Sequence, residues 1–371
     1  TTPTVTTPTT PSTPTVESAL DLNGHIKWND TTFSYNSANP HNKTSSVTQT
    51  GSGVSIGVLD MGFATTDSDL QNIMTSEFGS RLEKVTTYGL ATNDQHHGIT
   101  VAQVAGSSTS GTAKGVKIIG VDITKLKDGK NYPDPSLAAY QYLYNTKGVR
   151  IFNQSFGSDK AYDDAEYRAY RGEGNLPLPF AKMHSTDEPN YMIPYFRDAV
   201  ENKGGLFVWA AGNDHMQSNP TLEAGLPHLE PELEKGWINV VGLAAKPIHD
   251  AGSTEWSELQ RLNGAGVAKN WTVTAVSGIS TTTKAFNKST NAYEIGNWQM
   301  NGSSYAAPMV TGTAALIKQK YPWMTGDLIR QTILSTATDI GKKGVDEDFG
   351  WGLLNIGKAL NGPALFDKRL A

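Results

Sequence analysis

Residues 54–60 read VSIGVLD. Four apolar side chains fill seven positions, and the run ends in a carboxylate at Asp60. A short continuous apolar run of this kind suits a strand buried on both faces of a parallel sheet. The same pattern returns in VKIIGVDI (116–123), VRIFNQSF (149–156), LFVWAAGN (206–213), WINVVGLAA (237–245) and WTVTAVSG (271–278). Helical patterns lie between and after them: SLAAYQYLYNTK (136–147), YFRDAVENKG (195–204), SYAAPMVTGTAALIKQKY (304–321) and TGDLIRQTILSTA (325–337). Thr325 stands where a helix cap is needed. Alternating strands and helices predict an α/β fold of three layers, with a mainly parallel central sheet flanked by helices.

The flanks read differently. Residues 1–16, TTPTVTTPTTPSTPTV, are a Thr/Pro repeat with almost nothing to bury, and a disordered linker is expected there. Residues 17–50 are polar with scattered Trp28, Phe33 and Tyr35, and are expected to wrap the domain as a surface segment. The folded unit is expected over 51–371, with an insertion near 159–194 that breaks the strand–helix alternation. The chain begins at Thr1 without methionine, as a trimmed form would.

Composition removes several function classes. The 36 acidic residues exceed the 31 basic ones, leaving a net charge of −5 and no basic footprint for nucleic acid. There is no cysteine, which excludes disulfides, thiolate zinc sites and a cysteine nucleophile. No apolar run reaches the roughly 18 residues of a membrane-spanning helix.

Three segments carry candidate chemistry. VLDMGF places Asp60 at a strand end, HHGITVAQVAG places His97 before a helix, and NGSSYAAPMVTG places Ser304 at the start of a long apolar helix. A serine hydroxyl is a weak nucleophile at neutral pH and needs an imidazole to take its proton. A buried carboxylate must hold that imidazole in the right tautomer and stabilise its cation. A helix N-terminus also favours a developing oxyanion. Pro308 fits the first turns of such a helix, where N–H groups have no intrahelical partner.

Together these segments resemble the subtilisin family's Asp-x-Gly, His-Gly-Thr-x-Val-Ala and Gly-Thr-Ser-x-Ala-x-Pro patterns, in the family's chain order. The resemblance covers roughly residues 50 to 362, insertions excepted. It implies a subtilisin-like fold and a serine endopeptidase with an Asp60–His97–Ser304 triad. WAAGND (209–214) is similar to the family's Ala-Ala-Gly-Asn segment, which makes Asn213 the side-chain donor of the oxyanion hole. NQSFGS (153–158) is similar to the strand that pairs with substrate, so Ser155, Phe156 and Gly157 would bind the substrate backbone. Ala211 and Gly212 would join them in the pocket wall. Three positions depart from the pattern: Met61 replaces Ser or Thr, Ile99 replaces Thr, and Ser303 replaces Thr. A hydrogen bond near Asp60 is therefore expected to be missing.

Within the family, AGLPHLEPELEKGWINVVG (224–242) and the two segments at 318–341 and 344–366 look like the passenger proteases of Gram-negative autotransporters. That resemblance implies secretion or display on the bacterial surface, with a C-terminal outer-membrane β-barrel in the full-length protein. The implied partners are protein or peptide substrates, including the enzyme's own precursor or other exported proteins. No cofactor is required for the chemistry and no metal ligand is assigned. Structural calcium stays open at Asp163–Asp164 and Asp346–Glu347–Asp348, where solvated charge is the plainer reading. The rival functions are a catalytically silent adhesin or scaffold on the same fold, and an esterase, which the missing Gly-x-Ser-x-Gly elbow disfavours.

Overall fold

The computed structural model describes residues 25–27, 48–92, 95–157, 192–214, 217–245, 258–287 and 289–362. The Thr/Pro linker at 1–16, most of the 17–50 segment, nearly all of the 159–194 insertion with Asp163 and Asp164, and residues 363–371 lie outside them.

The strands in chain order are β1 (His25–Lys27), β2 (Ser55–Asp60), β3 (Leu82–Val85), β4 (Lys117–Asp122), β5 (Thr124–Lys127), β6 (Lys130–Pro133) and β7 (Ile151–Gln154). They continue with β8 (Leu206–Ala210), β9 (Trp237–Ala245), β10 (Glu258–Arg261), β11 (Thr272–Val276), β12 (Ile279–Asn287) and β13 (Ala292–Met300). Seven of them form a parallel sheet in the order β3-β4-β2-β7-β8-β9-β11. β10 and β1 extend it as antiparallel neighbours at the β9 end. Three residues of the expected surface wrap therefore serve as an edge strand.

The continuous apolar runs are explained by burial on two faces. In β2, Ile56 and Val58 enter one core layer and Leu59 the other. In β8, Leu206 and Val208 face the first layer, while Phe207 and Trp209 face the second. The second layer is aromatic: Phe152 stacks on Phe207 at 4.6 Å, and Trp209 on Trp237 at 5.4 Å. Gly57 is needed on that side, because a Cβ would meet Leu143 Cδ1 at 2.9 Å.

The helices are α1 (Ser68–Phe78), α2 (His97–Gly106), α3 (Leu137–Gln141), α4 (Met192–Glu201), α5 (Ser303–Lys320), α6 (Gly326–Ser335) and α7 (Ile356–Leu360). α5 is buried along nearly its whole length and packs under β7, β8, β9 and β11. Thr325 caps α6 as expected, accepting from Leu328 N. The helix expected at 136–147 is α3 followed by one π turn, closed by the bond from Lys147 N to Tyr142 O at 3.1 Å. α4 begins at Met192, three residues before the expected start at Tyr195, because Pro194 is tolerated in a first turn. It ends before Gly204, whose φ of 66° turns the chain toward β8.

Two hairpins are absent from the sequence expectation. β5–β6 turns through Asp128 and Gly129, both with positive φ (51° and 74°). Asp-Gly between strands is a strong hairpin signal that short polar flanks concealed. β12–β13 opens on a threonine-rich strand and lacks apolar alternation.

Candidate active site

In an open parallel sheet, functional loops gather at the carboxyl ends of the strands. Here β2 ends at Asp60, β7 leads into Ser155–Gly157, and β8 leads into Ala211–Asn213. α2 opens with His97, and α5 opens with Ser303 and Ser304 at the same edge.

Asp60 is buried, and its Oδ1 accepts from His97 Nδ1 at 2.7 Å and from Met61 N at 2.7 Å. Its Oδ2 accepts no hydrogen bond among the described residues, in keeping with methionine at position 61. Burial pushes the His97 pKa down, but the charge of Asp60 and its hydrogen bond outweigh this and hold it above its ordinary 6.5. Gly98 is dictated by this geometry. A Cβ there would meet Asp60 Cβ at 2.7 Å and Met61 O at 2.8 Å. Ile99 is fully buried in the core, and the neighbouring Thr100 donates its hydroxyl to His97 O at 2.8 Å.

Asp122 at the end of β4 is a residue the sequence reading passed over. Its buried carboxylate accepts from Gly62 N at 3.0 Å, Ala64 N at 2.7 Å and Thr124 N at 2.9 Å. It thereby anchors the loop that leaves Asp60. The acidic end of VKIIGVDI was its only local signal.

Ser304 Oγ donates to Ser155 O at 3.1 Å, while Ser155 Oγ donates to Ser304 O at 2.8 Å. Asn153, fully buried, donates from Nδ2 to Ser155 Oγ at 2.9 Å and accepts from Thr311 of α5 at 2.9 Å. The nucleophile candidate is thus tied to the strand expected to hold substrate. Phe156 meets Trp209 edge-on at 5.6 Å, and Gly157 leaves a surface that a Cβ would fill, 2.9 Å from Thr221 Oγ1.

Asn213 is exposed at the cleft, and its Oδ1 accepts from Ser303 N at 2.8 Å and Ser303 Oγ at 3.0 Å. A backbone N–H can only donate, so the atom facing it is the amide oxygen and Nδ2 is turned away as a donor. Ser303 Oγ in turn accepts from Gly212 N at 3.0 Å. The serine that replaces threonine keeps the hydroxyl this arrangement uses. Asn263 sets the same loop from beneath, accepting from Asp214 N at 2.8 Å.

The acidic cluster at 346–348 is structurally engaged rather than simply solvated. Asp346 is buried and accepts from Lys342 N, Asp348 N and Phe349 N, all within 3.0 Å. Asp348 pairs with Arg261 at 2.9 Å, and Glu347 with Lys269 at 3.0 Å. Among the described residues no three His, Asp or Glu side chains stand together as a metal site. A groove of about 1030 Å³ opens at the opposite edge of the sheet, beside Arg150, Lys318 and Trp323, and holds none of the candidate site residues.

Residues 51–352 match the sequence profile of the subtilase family, and the chain belongs to that family of serine proteases. It is 36% identical over 240 residues to the neisserial autotransporter lipoprotein NalP of Neisseria meningitidis, an alignment taking in 59% of this chain and 21% of that protein. It is 26% identical over 340 residues to the extracellular serine protease of Serratia marcescens, covering 85% of this chain and 32% of the relative. The chain therefore corresponds to about a fifth to a third of the length of these relatives. Among solved structures, fervidolysin from Fervidobacterium pennivorans superposes with a TM-score of 0.54 at 21% identity, over 85% of this chain and 43% of that one. The protease domain of PatA gives 0.54 at 18% identity, over 85% and 97%. These likenesses show the fold, and the resemblance read from the motifs, including that to autotransporter proteases, agrees with the family assignment.

Proposed function

We propose that this chain is the protease domain of a secreted or surface-displayed endopeptidase, and that it hydrolyses peptide bonds through an acyl-enzyme. Ser304 Oγ attacks the scissile carbonyl and passes its proton to His97 Nε2. His97 then returns that proton to the leaving amine, and water repeats the cycle on the ester. Asp60 fixes the imidazole tautomer with Nδ1–H toward itself and stabilises the cation. Asn213 Nδ2 and the Ser304 N–H bind the oxyanion. Ser155, Phe156 and Gly157 pair with the substrate as an added strand, with Ala211 and Gly212 in the pocket wall. The chemistry so described calls on protein groups alone and requires no cofactor.

The 2.7 Å bond between Asp60 and His97, beside a serine at the N-terminus of a buried helix, carries this reading. The likeness to autotransporter and extracellular proteases supports export, attachment to a C-terminal outer-membrane β-barrel, and action on exported proteins or on the enzyme's own precursor. Casein hydrolysis by the chain is compared with Ser304→Ala and with fluorophosphonate treatment. Loss of activity in both supports the reading. A folded chain that neither cleaves casein nor takes up the fluorophosphonate overturns it and favours a silent adhesin or scaffold.

A further inference from the structure

The helices that carry nucleophile and base meet through a phenol. Tyr305 directly follows Ser304 on α5 and is buried. Its ring centroid lies 5.7 Å from that of His97, with the planes tilted by 58°. Its hydroxyl is 3.3 Å from Thr100 Oγ1, one turn along α2 from His97. Thr100 Oγ1 spends its proton on His97 O, so the phenol is the donor to Thr100. Burial, with a smaller push from Asp60, raises the phenol pKa to about 12, and it remains a neutral donor throughout the working range.

We propose that Tyr305 is a positioning residue for His97, its ring forming the wall that keeps the imidazole seated on Asp60 while the base gains and loses its proton. This rests on the protease reading above. The single bond from Nδ1 to Asp60 fixes one end of the imidazole and leaves the ring free to swing about its side-chain torsions. Tyr305 obstructs that swing, and the Thr100 bond holds Tyr305 in place. The arrangement also couples the two helices, so base and nucleophile share one frame. Among the described residues, the titratable groups facing the imidazole are Asp60 from β2 and Tyr305 from α5. We take this ring contact to favour the imidazolium over the neutral ring, so that its removal is expected to lower the His97 pKa.

The test uses the whole chain with Tyr305→Leu and Tyr305→Phe, a short chromogenic peptide, and kcat and KM across pH. Tyr305→Leu is expected to lower kcat about tenfold, as a slightly misplaced base would, with KM within about twofold. Its acid limb of kcat/KM is expected to move down by about 0.5 pH unit. Tyr305→Phe keeps the ring and is expected to retain kcat within about threefold, with the limb in place. If Tyr305→Leu does not fold, Tyr305→Gln supplies the same readout with a solvent-tolerant side chain. A folded variant without the ring that keeps the parent's kcat and limb overturns the proposal. So does one that loses kcat with the limb unmoved, which marks a packing role alone. A parent chain that neither cleaves peptide nor labels with fluorophosphonate removes the protease reading first, and this proposal with it.

Discussion

Ser155 and Ser304 hold each other reciprocally: each hydroxyl donates to the other's carbonyl, at 2.8 and 3.1 Å. Ser304 Oγ therefore donates to the backbone of Ser155, and the proposed mechanism requires it to turn its proton to His97 instead. In the proposed binding mode, substrate pairs along Ser155–Gly157, beside that resting bond. Ser155→Ala strips Asn153 Nδ2 and Ser304 O of their partner at once. We expect a stability loss of about 1–3 kcal/mol and a weaker kcat/KM toward casein. A variant as stable and active as the parent would show that the reciprocal bonds do not matter.

Asn213 is set by Ser303 before any substrate arrives. Asn213→Ala should lower kcat by about 100- to 1000-fold while KM changes little, because the oxyanion exists only in the transition state. Ser303→Ala should reproduce a smaller part of that loss, since the Ser303 N–H still holds Oδ1. Steady-state kinetics on one peptide separates the two. Equal losses in the two variants would count against this division of roles.

The pH dependence follows from the His97–Asp60 pair. In the proposed mechanism the neutral imidazole is the active base, and its pKa is raised above 6.5. Activity should therefore fall on the acid side through a limb placed above pH 6.5, not below it. Asp60→Asn removes the charge, moves the limb to lower pH, and should reduce kcat by about ten-thousandfold. For stability the sign is opposite. The folded pKa is raised, so the pair's contribution is complete below the unfolded value of 6.5 and is lost as pH rises through the folded value. Melting curves of parent and Asp60→Asn should converge as pH rises across that window, and a gap that widens would contradict the assignment.

Asp122 offers a test away from the reacting atoms. Asp122→Ala leaves the N–H groups of Gly62, Ala64 and Thr124 without their acceptor. A loss of about 2–4 kcal/mol is expected, measured by urea unfolding. Asp122→Asn keeps one acceptor oxygen and should lose less. Identical losses for Asn and Ala would mean that the carboxylate geometry is immaterial.

Much was legible in the chain itself. The run ending at Asp60, with its sister runs, announced strands buried on two faces, because a sheet covered by helices on both sides has no polar face to alternate with. Asp60, His97, Ser304 and Asn213 stood out as candidates because the proposed chemistry restricts residue type at each, and Gly98 and Gly302 accompany them under backbone constraint. Gly302, with φ of 138°, adopts a conformation that side chains avoid. The β12–β13 hairpin was not legible, because its strands lack an apolar pattern of their own and are stabilised from outside. Gln103 of α2 clasps the Thr282 backbone at 2.7 and 2.9 Å, and Lys284 bridges Asp67 and Asp69.

The sequence by itself determined the layered α/β architecture and singled out the candidates for the reacting groups, because local periodicity and side-chain chemistry are properties of single segments. Only the tertiary structure decided how those groups are aimed. The Asn213 amide is turned by a serine 90 residues away, and the His97 ring is walled by a tyrosine bonded to Thr100 across 205 residues. Such contacts form when distant segments meet at one sheet edge, and no pattern confined to a single stretch of chain encodes them.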